Sequence, residues 1–527
     1  MADTYKAHRR DNDEAVEFSV EWETPEDSLL VWRWDAEHNP FPVTPLSADF
    51  SGRSPNGPAR IREGRPRQSI NIHGYRYSAG QGGGMRRRLA ITDSELDDSL
   101  ARIDDIWENG WRADIEREAN EIAYADYEPM SVPELVRRME QYRDQYAVHM
   151  DLMFRPMDIV GSARDRLSDF LREKLGDGAD VDRLVSELLE GQMNASLEAN
   201  AALWDVSQMA GILPFVAEQV RNGDPATLFE QLRKQEGGAV VADALEAWLE
   251  RYGRRSGDYS ELREPTWKED PTPVLKLLKS YIEREDPRAA LTRAEARKQA
   301  VAAELKAQLE GPDRERFEKL VAGVERYIPV KESRNSVMSL SRASLRAPAL
   351  AAGRKLVSLG AINQVDDVFF LTFAEIETAG GRVEGLDALI NQRRAEHELW
   401  RDVVPPATLG GQAWDNPIVD GQIKGIPASR GKARGRARVI LHLAEAYRLE
   451  PGEVLVTRST TSAWTPLFLN AAAIVTDSGG ILSHCAVVAR EYQLPAVVGT
   501  YTATRLIADG DVLDVDGSTG LVTIERN

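Results

Sequence analysis

The chain has 527 residues, a formal net charge of -19, 42% hydrophobic residues and 29% charged residues. This length predicts about two to four domains, and the acidic balance argues against nucleic acid or an anionic membrane surface as partners. No apolar run is long enough to span a bilayer, and the N-terminus lacks a signal-peptide core. The single cysteine, Cys485, excludes an internal disulfide and suits a reducing compartment. We therefore expect a cytoplasmic protein.

The N-terminal part predicts little regular structure at first and then an unusual extended segment. Residues 1–20 are polar, which predicts an irregular start of the chain. Residues 32–45 combine tryptophans, His38 and three prolines, and so read as an extended segment. Such a segment either packs over a core as a strap or forms a wall of an acceptor pocket with His38 facing inward. Short strands are predicted at residues 69–77, where His73 is either a base or a hydrogen-bonded structural residue.

A helical periodicity dominates the middle of the chain. From about residue 92 to 325, apolar residues recur at spacings of three and four, which predicts a large helical domain. Capping-box patterns predict helix starts at Ser131 and Thr292. Residues 142–157 place tyrosine, methionine and His149 on one helix. They either line an apolar ligand site or form ordinary helix–helix core.

An arginine-rich helix and a linker follow. Residues 332–355 predict one long helix that carries Arg334 and Arg346. Arginine suits bidentate contacts with oxyanions, so both residues are candidate phosphate clamps, and Arg342 of the same helix is a further candidate contact for phosphate. The alternative is that they form salt bridges on helix faces. Proline and glycine then concentrate in residues 401–424, which predicts a linker.

A strand–turn–helix pattern near the C-terminus carries the chemistry. The apolar residues 471–475 predict a buried strand, and Gly479 and Gly480 permit backbone angles that other residues resist. Ser483 and His484 then begin an apolar helix. A helix N-terminus favours anions and disfavours imidazolium, so a neutral imidazole there can accept a phosphoryl group. The alternative is a helix-capping histidine.

The neighbouring Cys485 allows three interpretations. It is a thiol nucleophile, a metal ligand or a small packing residue. Neither a second cysteine nor a histidine cluster accompanies it in the sequence. We therefore expect packing, and no metal site.

The C-terminal residues resemble the phosphohistidine swivelling domain of the PEP-utilising, or dikinase, superfamily. The resemblance covers residues 425–527, although Arg430 stands where the family usually has proline. It implies that His484 is phosphorylated and then donates to an acceptor. The residues that carry the match around the turn are Thr476, Gly479, Gly480, Ser483, His484, residues 489–491 and residues 495–499.

Residues 332–375 are similar to the segment that precedes this domain in rifampin phosphotransferase and phenylphosphate-synthase-type proteins. Together the two resemblances imply a multidomain α+β protein, in which a large, mainly helical acceptor domain accompanies a C-terminal α/β swivelling domain. The expected parts are a β-containing N-terminal segment at 1–91, the helical acceptor domain at 92–400, the linker at 401–424 and the swivelling domain at 425–527.

The first 400 residues show no P-loop, no glycine-rich nucleotide loops and no repeated strand–helix alternation. The resemblance therefore implies that a separate ATP-grasp subunit binds ATP and Mg²⁺, and that this chain binds no cofactor itself. It also implies a dikinase-type phosphotransferase, active with that partner. His484 would pass the phosphoryl group to the hydroxyl of a small phenolic compound, as in aromatic compound catabolism, with AMP and phosphate released overall.

The acceptor site is the least defined part of this prediction. His38, His73 and His149 are the candidate bases, and Arg334 and Arg346 are the candidate clamps. Two alternatives stay open. The acceptor is an antibiotic or another alcohol, as in rifampin phosphotransferase, or the chain is a non-catalytic phosphocarrier for a regulatory partner.

Overall fold

The computed structural model describes residues 2–9, 14–50, 69–79, 91–176, 178–258, 260–381, 385–410 and 421–525. The chain is mainly helical, with strands near the N-terminus and an α/β region at the C-terminus. The predicted fold class is confirmed. Within the described ranges, no helix combines the length and the apolar character needed to cross a membrane.

Two small sheets hold the N-terminal strands, in the orders β2-β1-β6 and β4-β5-β3-β7. The expected irregular start is wrong, because the first two strands form an antiparallel hairpin whose Phe18 and Val20 side chains are buried. A 3₁₀ turn at Asp27–Leu29 precedes β3. The strands are β1 (Ala2–Arg9), β2 (Ala15–Glu21), β3 (Trp32–Trp34), β4 (Ser69–Ile72), β5 (Tyr75–Ala79), β6 (Val403–Val404) and β7 (Thr408–Leu409).

The predicted linker begins inside these sheets. Strand β6 pairs with β1, and β7 pairs with β3. The Tyr75 hydroxyl also donates to the Val403 carbonyl at 2.7 Å. Residues 411–420 of the predicted linker lie outside the described residues.

The described residues contain seventeen helices before the C-terminal sheet. A π turn at Trp107–Trp111 joins α3 to α4, and a 3₁₀ helix at Val365–Phe370 follows α15. The helices are α1 (Pro45–Phe50), α2 (Asp93–Ala101), α3 (Ile103–Ile106), α4 (Arg112–Ala123), α5 (Val132–Leu175), α6 (Val181–Leu188), α7 (Ala195–Gly211), α8 (Pro214–Asn222), α9 (Leu228–Arg233), α10 (Gly238–Tyr252), α11 (Thr272–Tyr281), α12 (Pro287–Ala307), α13 (Gly311–Val324), α14 (Tyr327–Ser344), α15 (Arg346–Ser358), α16 (Phe373–Ala379) and α17 (Leu386–Arg401).

The predicted helix starts had different outcomes. The capping box at Ser131 is confirmed at the start of α5. The one at Thr292 is wrong, because α12 begins five residues earlier, where the Asp286 side chain caps it. The Thr292 hydroxyl instead donates to the Arg288 carbonyl one turn back, as hydroxyls inside helices often do. The single long helix predicted from residue 332 is two helices, α14 and α15.

The C-terminal region is one eight-stranded sheet in the order β8-β15-β14-β10-β11-β12-β13-β9. Strands β10 to β13 run parallel, and helix α18 follows β12. Open α/β sheets bind ligands at the carboxyl ends of such strands, so His484 stands where a ligand is expected. The elements are β8 (Gln422–Lys424), β9 (Ile426–Ser429), β10 (Lys432–Val439), β11 (Val454–Thr457), β12 (Ala473–Thr476), α18 (His484–Glu491), β13 (Ala496–Val498), α19 (Ala503–Leu506), β14 (Val512–Asp516) and β15 (Leu521–Glu525), with 3₁₀ helices at Leu443–Arg448 and Ser462–Leu469.

Candidate active site

His484 is the first residue of α18, and both of its ring nitrogens have partners. The helix is capped by Ser483, whose hydroxyl accepts from the Ala486 amide at 3.3 Å. The ring is buried. Its Nδ1 lies 2.9 Å from Glu332 Oε2, and its Nε2 lies 3.1 Å from Thr465 Oγ1.

These partners assign the two nitrogens different roles. A carboxylate only accepts hydrogen bonds, so the nitrogen that faces Glu332 carries the proton. In the neutral ring, Nε2 then keeps its lone pair and faces the Thr465 hydroxyl, whose single hydrogen is shared between two acceptors, Nε2 and the Ser462 carbonyl at 3.0 Å. The lone pair of Nε2 is the nucleophile that the ring offers to a phosphoryl group.

Glu332 holds its charge although it is fully buried. It lies on α14 and belongs to the helical region, while His484 belongs to the C-terminal sheet region. Lys331 Nζ lies 3.0 Å from its Oε1, and the Ser196 hydroxyl donates to its Oε2 at 2.9 Å. Burial by itself would raise the pKa of Glu332, but Lys331 and His484 outweigh it and hold the pKa well below its usual range. An ionised carboxylate therefore faces the imidazole across the interface.

The turn before α18 needs only one of its two glycines. Gly479 has a φ of 110°, and a Cβ there would lie 2.9 Å from the Ser483 hydroxyl oxygen. Gly480 lies outside the positive-φ region, and a Cβ there would meet open space. The expectation of unusual backbone angles is therefore wrong for Gly480. At the start of the turn, the Thr476 hydroxyl donates to the Ser478 carbonyl at 2.7 Å.

Of the three candidate bases, His38 has the most suitable surroundings. Its side chain is 47% exposed, and its Nδ1 lies 2.9 Å from Asp35 Oδ1. Asp35 also pairs with Arg76 at 2.9 Å. The Asp35 carboxylate raises the pKa of His38. An imidazole oriented by a carboxylate and accessible on its other side is the usual form of a general base.

The extended segment that carries His38 touches the phosphohistidine region. The Ser478 hydroxyl donates to the Ala36 carbonyl at 3.2 Å. Arg458, at the end of β11, donates to the carbonyls of Pro40 and Val403, and its guanidinium lies 4.6 Å from the centre of the Phe41 ring. The segment is thus a strap over the C-terminal sheet region. Arg458 was not among the predicted site residues.

Hydrogen bonds and packing fix the rings of the other two histidines. His73 Nε2 lies 2.8 Å from the Ser19 carbonyl, and its ring stacks on Trp400 at 4.0 Å. His149 is buried, and its Nε2 lies 2.6 Å from Glu118 Oε2. Both positions favour the structural alternative, because packing and hydrogen bonds already fix both rings.

The two candidate clamps also differ. Arg346 Nε donates to Glu269 at 2.7 Å, and its Nη1 donates to the Leu262 carbonyl at 2.7 Å. These contacts favour the salt-bridge alternative for Arg346, because carboxylate and carbonyl oxygens accept from its Nε and Nη1. Arg334 lies two residues after Glu332 on α14, with its guanidinium 5.2 Å from the centre of the Phe154 ring. Its Nη2 donates to Asn335 Oδ1 at 2.6 Å.

A pair of carboxylates meets at the other end of α18. Glu491 is 1% exposed and accepts from the Gly191 amide at 2.9 Å. Glu190 lies next to it, 4.0 Å from Arg490 and 3.0 Å from Arg297. Burial raises the pKa of Glu491 to about 8, and it raises the pKa of Glu190 as well. Burial of Glu491 therefore favours its protonated form.

No group of three or more histidine, cysteine, aspartate or glutamate side chains that could hold a metal ion occurs among the residues in the described ranges. His484 and Glu332 are instead paired with each other, and Lys331 and Ser196 also contact Glu332. The candidate site consists of the His484 imidazole, the Glu332 carboxylate, the Lys331 ammonium group and the Thr465 hydroxyl.

Two family descriptions match the chain. The fourth domain of rifampicin phosphotransferase matches residues 154–332, and the mobile domain of PEP-utilising enzymes matches residues 449–520. The second range contains His484 and its turn. The first ends at Glu332, the residue that contacts His484 Nδ1.

Three relatives show how the similarity is distributed. Chondramide synthase cmdD of Chondromyces crocatus is 31% identical over 560 residues, which is 96% of this chain and 14% of that protein. Rifampicin phosphotransferase of Streptomyces sviceus is 33% identical over 373 residues, 68% of this chain and 42% of that protein. Prodigiosin synthesizing transferase PigC of Serratia marcescens is 32% identical over 364 residues, 64% of this chain and 40% of that protein. The chain thus spans less than half the length of these relatives.

Proposed function

From the premise that this chain is a PEP-utilising superfamily protein resembling rifampicin phosphotransferase, we propose that it is a phosphotransferase with a phosphohistidine intermediate at His484. The C-terminal sheet region carries the phosphoryl group, and the helical region binds the acceptor. The proposed acceptor is the hydroxyl of a small phenolic compound. The observation that carries this proposal is the pairing of His484 Nδ1 with the buried Glu332 at 2.9 Å, which leaves Nε2 as the nucleophile.

The first transfer needs a phosphoryl donor. We propose a separate ATP-grasp subunit, which uses ATP with Mg²⁺ and releases AMP and phosphate overall. More than half the length of rifampicin phosphotransferase has no counterpart in this match. In this step a P–O bond of the nucleotide breaks and a P–N bond forms to His484 Nε2.

This first transfer is proposed to occur with the C-terminal region away from the helical region. Thr465 Oγ1 stands 3.1 Å from Nε2, where the phosphoryl group would be attached. The ring is also buried in the arrangement described here, so the active site of a partner cannot reach Nε2. A movement of the C-terminal region away from α14 exposes the ring to the partner, whereas Thr465 belongs to the same region as His484 and moves with it.

In the second transfer the P–N bond breaks and a P–O bond forms to the acceptor oxygen. The acceptor hydroxyl must lose its proton, and His38 is the proposed base because Asp35 orients its ring. Arg334 is the proposed cation for the moving phosphoryl group, because it follows Glu332 on α14. The match of residues 154–332 to rifampicin phosphotransferase supports a second candidate, in which the acceptor is another alcohol.

The test is intact-mass detection of phosphate on His484 under alkaline conditions, after ATP and magnesium are added. The chain is examined alone and with a co-purifying ATP-grasp protein. We expect label only in the second case, followed by loss of the label when phenolic compounds are added. Label on the isolated chain would contradict the need for a partner. The absence of label in both cases would contradict the carrier role.

Docking of the C-terminal sheet region onto the helical region should depend on pH. The pKa of Glu491 is raised from 4.5 to about 8 in the docked state, so docking takes up a proton between these values. Docking is then strongest at the acidic end of this range and weakens as pH rises toward 8, by up to about tenfold per pH unit. Hydrogen exchange of residues 327–344, measured from pH 5.5 to 8, should reveal the separation of the C-terminal region from the helical region.

Glu491→Gln isolates this effect, since glutamine keeps the shape but cannot ionise. We expect the variant to remain docked at pH 8 and to lose most of the pH dependence. Glu304→Gln, at an exposed position of α12, is the matched control and should behave like the unmodified chain. An unchanged pH dependence in Glu491→Gln would show that another group controls docking.

A further inference from the structure

The strap, which consists of residues 35–43, is built into the N-terminal strands and the helical region. The Asp35 amide donates to the Arg76 carbonyl of β5 at 2.9 Å. The Pro42 carbonyl lies 3.0 Å from Nε2 of His397, on α17. These contacts do not involve the C-terminal sheet region. The strap is therefore a fixed surface onto which that region docks.

One aromatic side chain of the strap, Phe41, contacts two side chains of the C-terminal region. The Arg458 guanidinium lies 4.6 Å from the centre of the Phe41 ring. The centre of the His442 ring lies 4.4 Å from the same point, and the two rings are tilted by 31°. His442 follows β10 and Arg458 follows β11, so both come from the carboxyl ends of neighbouring parallel strands. Phe41 thus contacts the edge of the sheet at which His484 also lies.

The hydrogen bonds of Arg458 hold the same junction. Arg458 is 1% exposed, and its Nη1 donates to the Pro40 carbonyl, next to Phe41. Its Nη2 donates at 2.9 Å to the carbonyl of Val403 in β6. Its Nε has no hydrogen-bond partner in the ranges that the structure describes. Neutral carbonyls and an aromatic ring repay only part of the hydration that a guanidinium loses on burial. Such a contact suits a surface that docks and separates repeatedly.

The phosphohistidine turn is attached to this junction through Ser478. The Arg458 carbonyl accepts from the Ser478 amide at 2.9 Å and lies 2.9 Å from the Ser478 hydroxyl oxygen. The same hydroxyl lies 3.2 Å from the Ala36 carbonyl of the strap. Ser478 belongs to the turn that ends at His484, and His38 lies on the strap. The place of Arg458 on the strap therefore affects how the phosphohistidine turn lies relative to the proposed base.

We propose that Phe41 is a positioning residue, against which Arg458 and His442 set the place to which the C-terminal region returns when it docks. The contact holds the turn of His484 next to the strap, and so it favours transfer to the acceptor. Its loss shifts the population toward the separated state, which favours labelling by the donor. This inference rests on the proposed function in one respect, the movement of the C-terminal region.

The first test is hydrogen exchange of α14 and α18 at constant pH, without any phosphoryl donor. These helices meet at the pair of Glu332 and His484. Phe41→Leu removes the aromatic ring, and we expect about tenfold faster exchange, because a desolvated cation–π contact shifts an equilibrium by about that factor. Phe41→Tyr keeps the ring and should exchange at the normal rate. Phe215→Leu, at an exposed position of α8, is the matched control and should also exchange normally.

The two half-reactions provide a second test, because the expected effects have opposite signs. In Phe41→Leu, labelling of His484 at a subsaturating concentration of the ATP-grasp partner should be up to about tenfold faster. Transfer from the pre-labelled chain to the acceptor should be about tenfold slower. Phe41→Tyr should restore both rates. Slowing of both half-reactions in Phe41→Leu would mean that Phe41 only maintains the fold, and would overturn the inference.

A double-variant cycle tests whether Phe41 acts through Arg458. Arg458→Met keeps an unbranched side chain but removes the charge. If both residues act through one contact, Arg458→Met should accelerate exchange severalfold less in Phe41→Leu than in the unmodified chain. Equal acceleration in both backgrounds would show that the residues act independently, which contradicts the proposal. His442→Leu takes the place of Arg458→Met in the cycle if the latter fails to fold.

Exchange and labelling together separate this inference from the proposed function. Faster exchange in Phe41→Leu, with no labelling of His484 in any variant, would leave the docking role of Phe41 in place and overturn the transferase. Normal exchange and two normal half-reactions in Phe41→Leu would support the transferase and overturn the docking role.

Discussion

Replacing His484 with alanine is expected to abolish both phosphoryl labelling and acceptor turnover, by a factor of about 10⁴ or more. The reason is that the site contains no substitute nucleophile. Cys485 is adjacent and buried, and burial raises the pKa of its thiol to about 12. A thiol that stays protonated at neutral pH is a poor nucleophile. Thr465 offers only an unactivated hydroxyl.

The measurement is quantitative intact-mass analysis after incubation with the ATP-grasp partner, combined with an assay for the phosphorylated acceptor. Cys485→Ser is the matched control, since it changes the next residue and leaves the imidazole in place. It should be labelled at close to the normal rate. Residual alkali-stable, acid-labile label in His484→Ala would place the phosphoryl group on another residue and end the carrier assignment.

The turn around His484 could be predicted from the sequence because its determinants are local. An apolar strand, a glycine at a positive φ, a serine cap and the proline at 495 follow one another within some twenty-five residues. The structure has β12, α18 and β13 in this order, and α18 begins at His484. Even here the sequence could not separate Gly479, where a Cβ would clash, from Gly480, where it would not.

Glu332 could not be assigned from the sequence, because its role depends on a contact between residues 152 positions apart. Its neighbours Lys331 and Arg334 make the stretch look like an ordinary charged helix face. The only local indication that Glu332 has a special role is that charged residues lie on a helix whose other positions are largely apolar or small. For Arg346 the sequence left two alternatives, a phosphate contact or a salt bridge, and only the structure shows that Glu269 and backbone carbonyls accept its hydrogen bonds.

Glu332→Gln is expected to slow the second transfer, from His484 to the acceptor, by about 10²- to 10⁴-fold. This corresponds to about 3 to 5 kcal/mol in the barrier. Glutamine keeps the volume of the side chain but removes the charge that stabilises a proton on Nδ1, and an imidazole protonated on Nδ1 leaves the phosphorus more readily than an unprotonated one. It also leaves Lys331 without the carboxylate that now lies 3.0 Å away.

The two half-reactions should respond differently, because Glu332 belongs to the helical region and His484 to the C-terminal region. Labelling by the ATP-grasp partner takes place away from Glu332 in the proposed cycle, so its rate should stay within about twofold of normal. Rapid mixing of the pre-labelled chain with acceptor measures the second step alone. Glu377→Gln, at an exposed position of α16, controls for the loss of one carboxylate. Equal slowing of both half-reactions would mean that Glu332 only maintains the fold, whereas a selective loss would identify it as the residue that positions the imidazole for transfer.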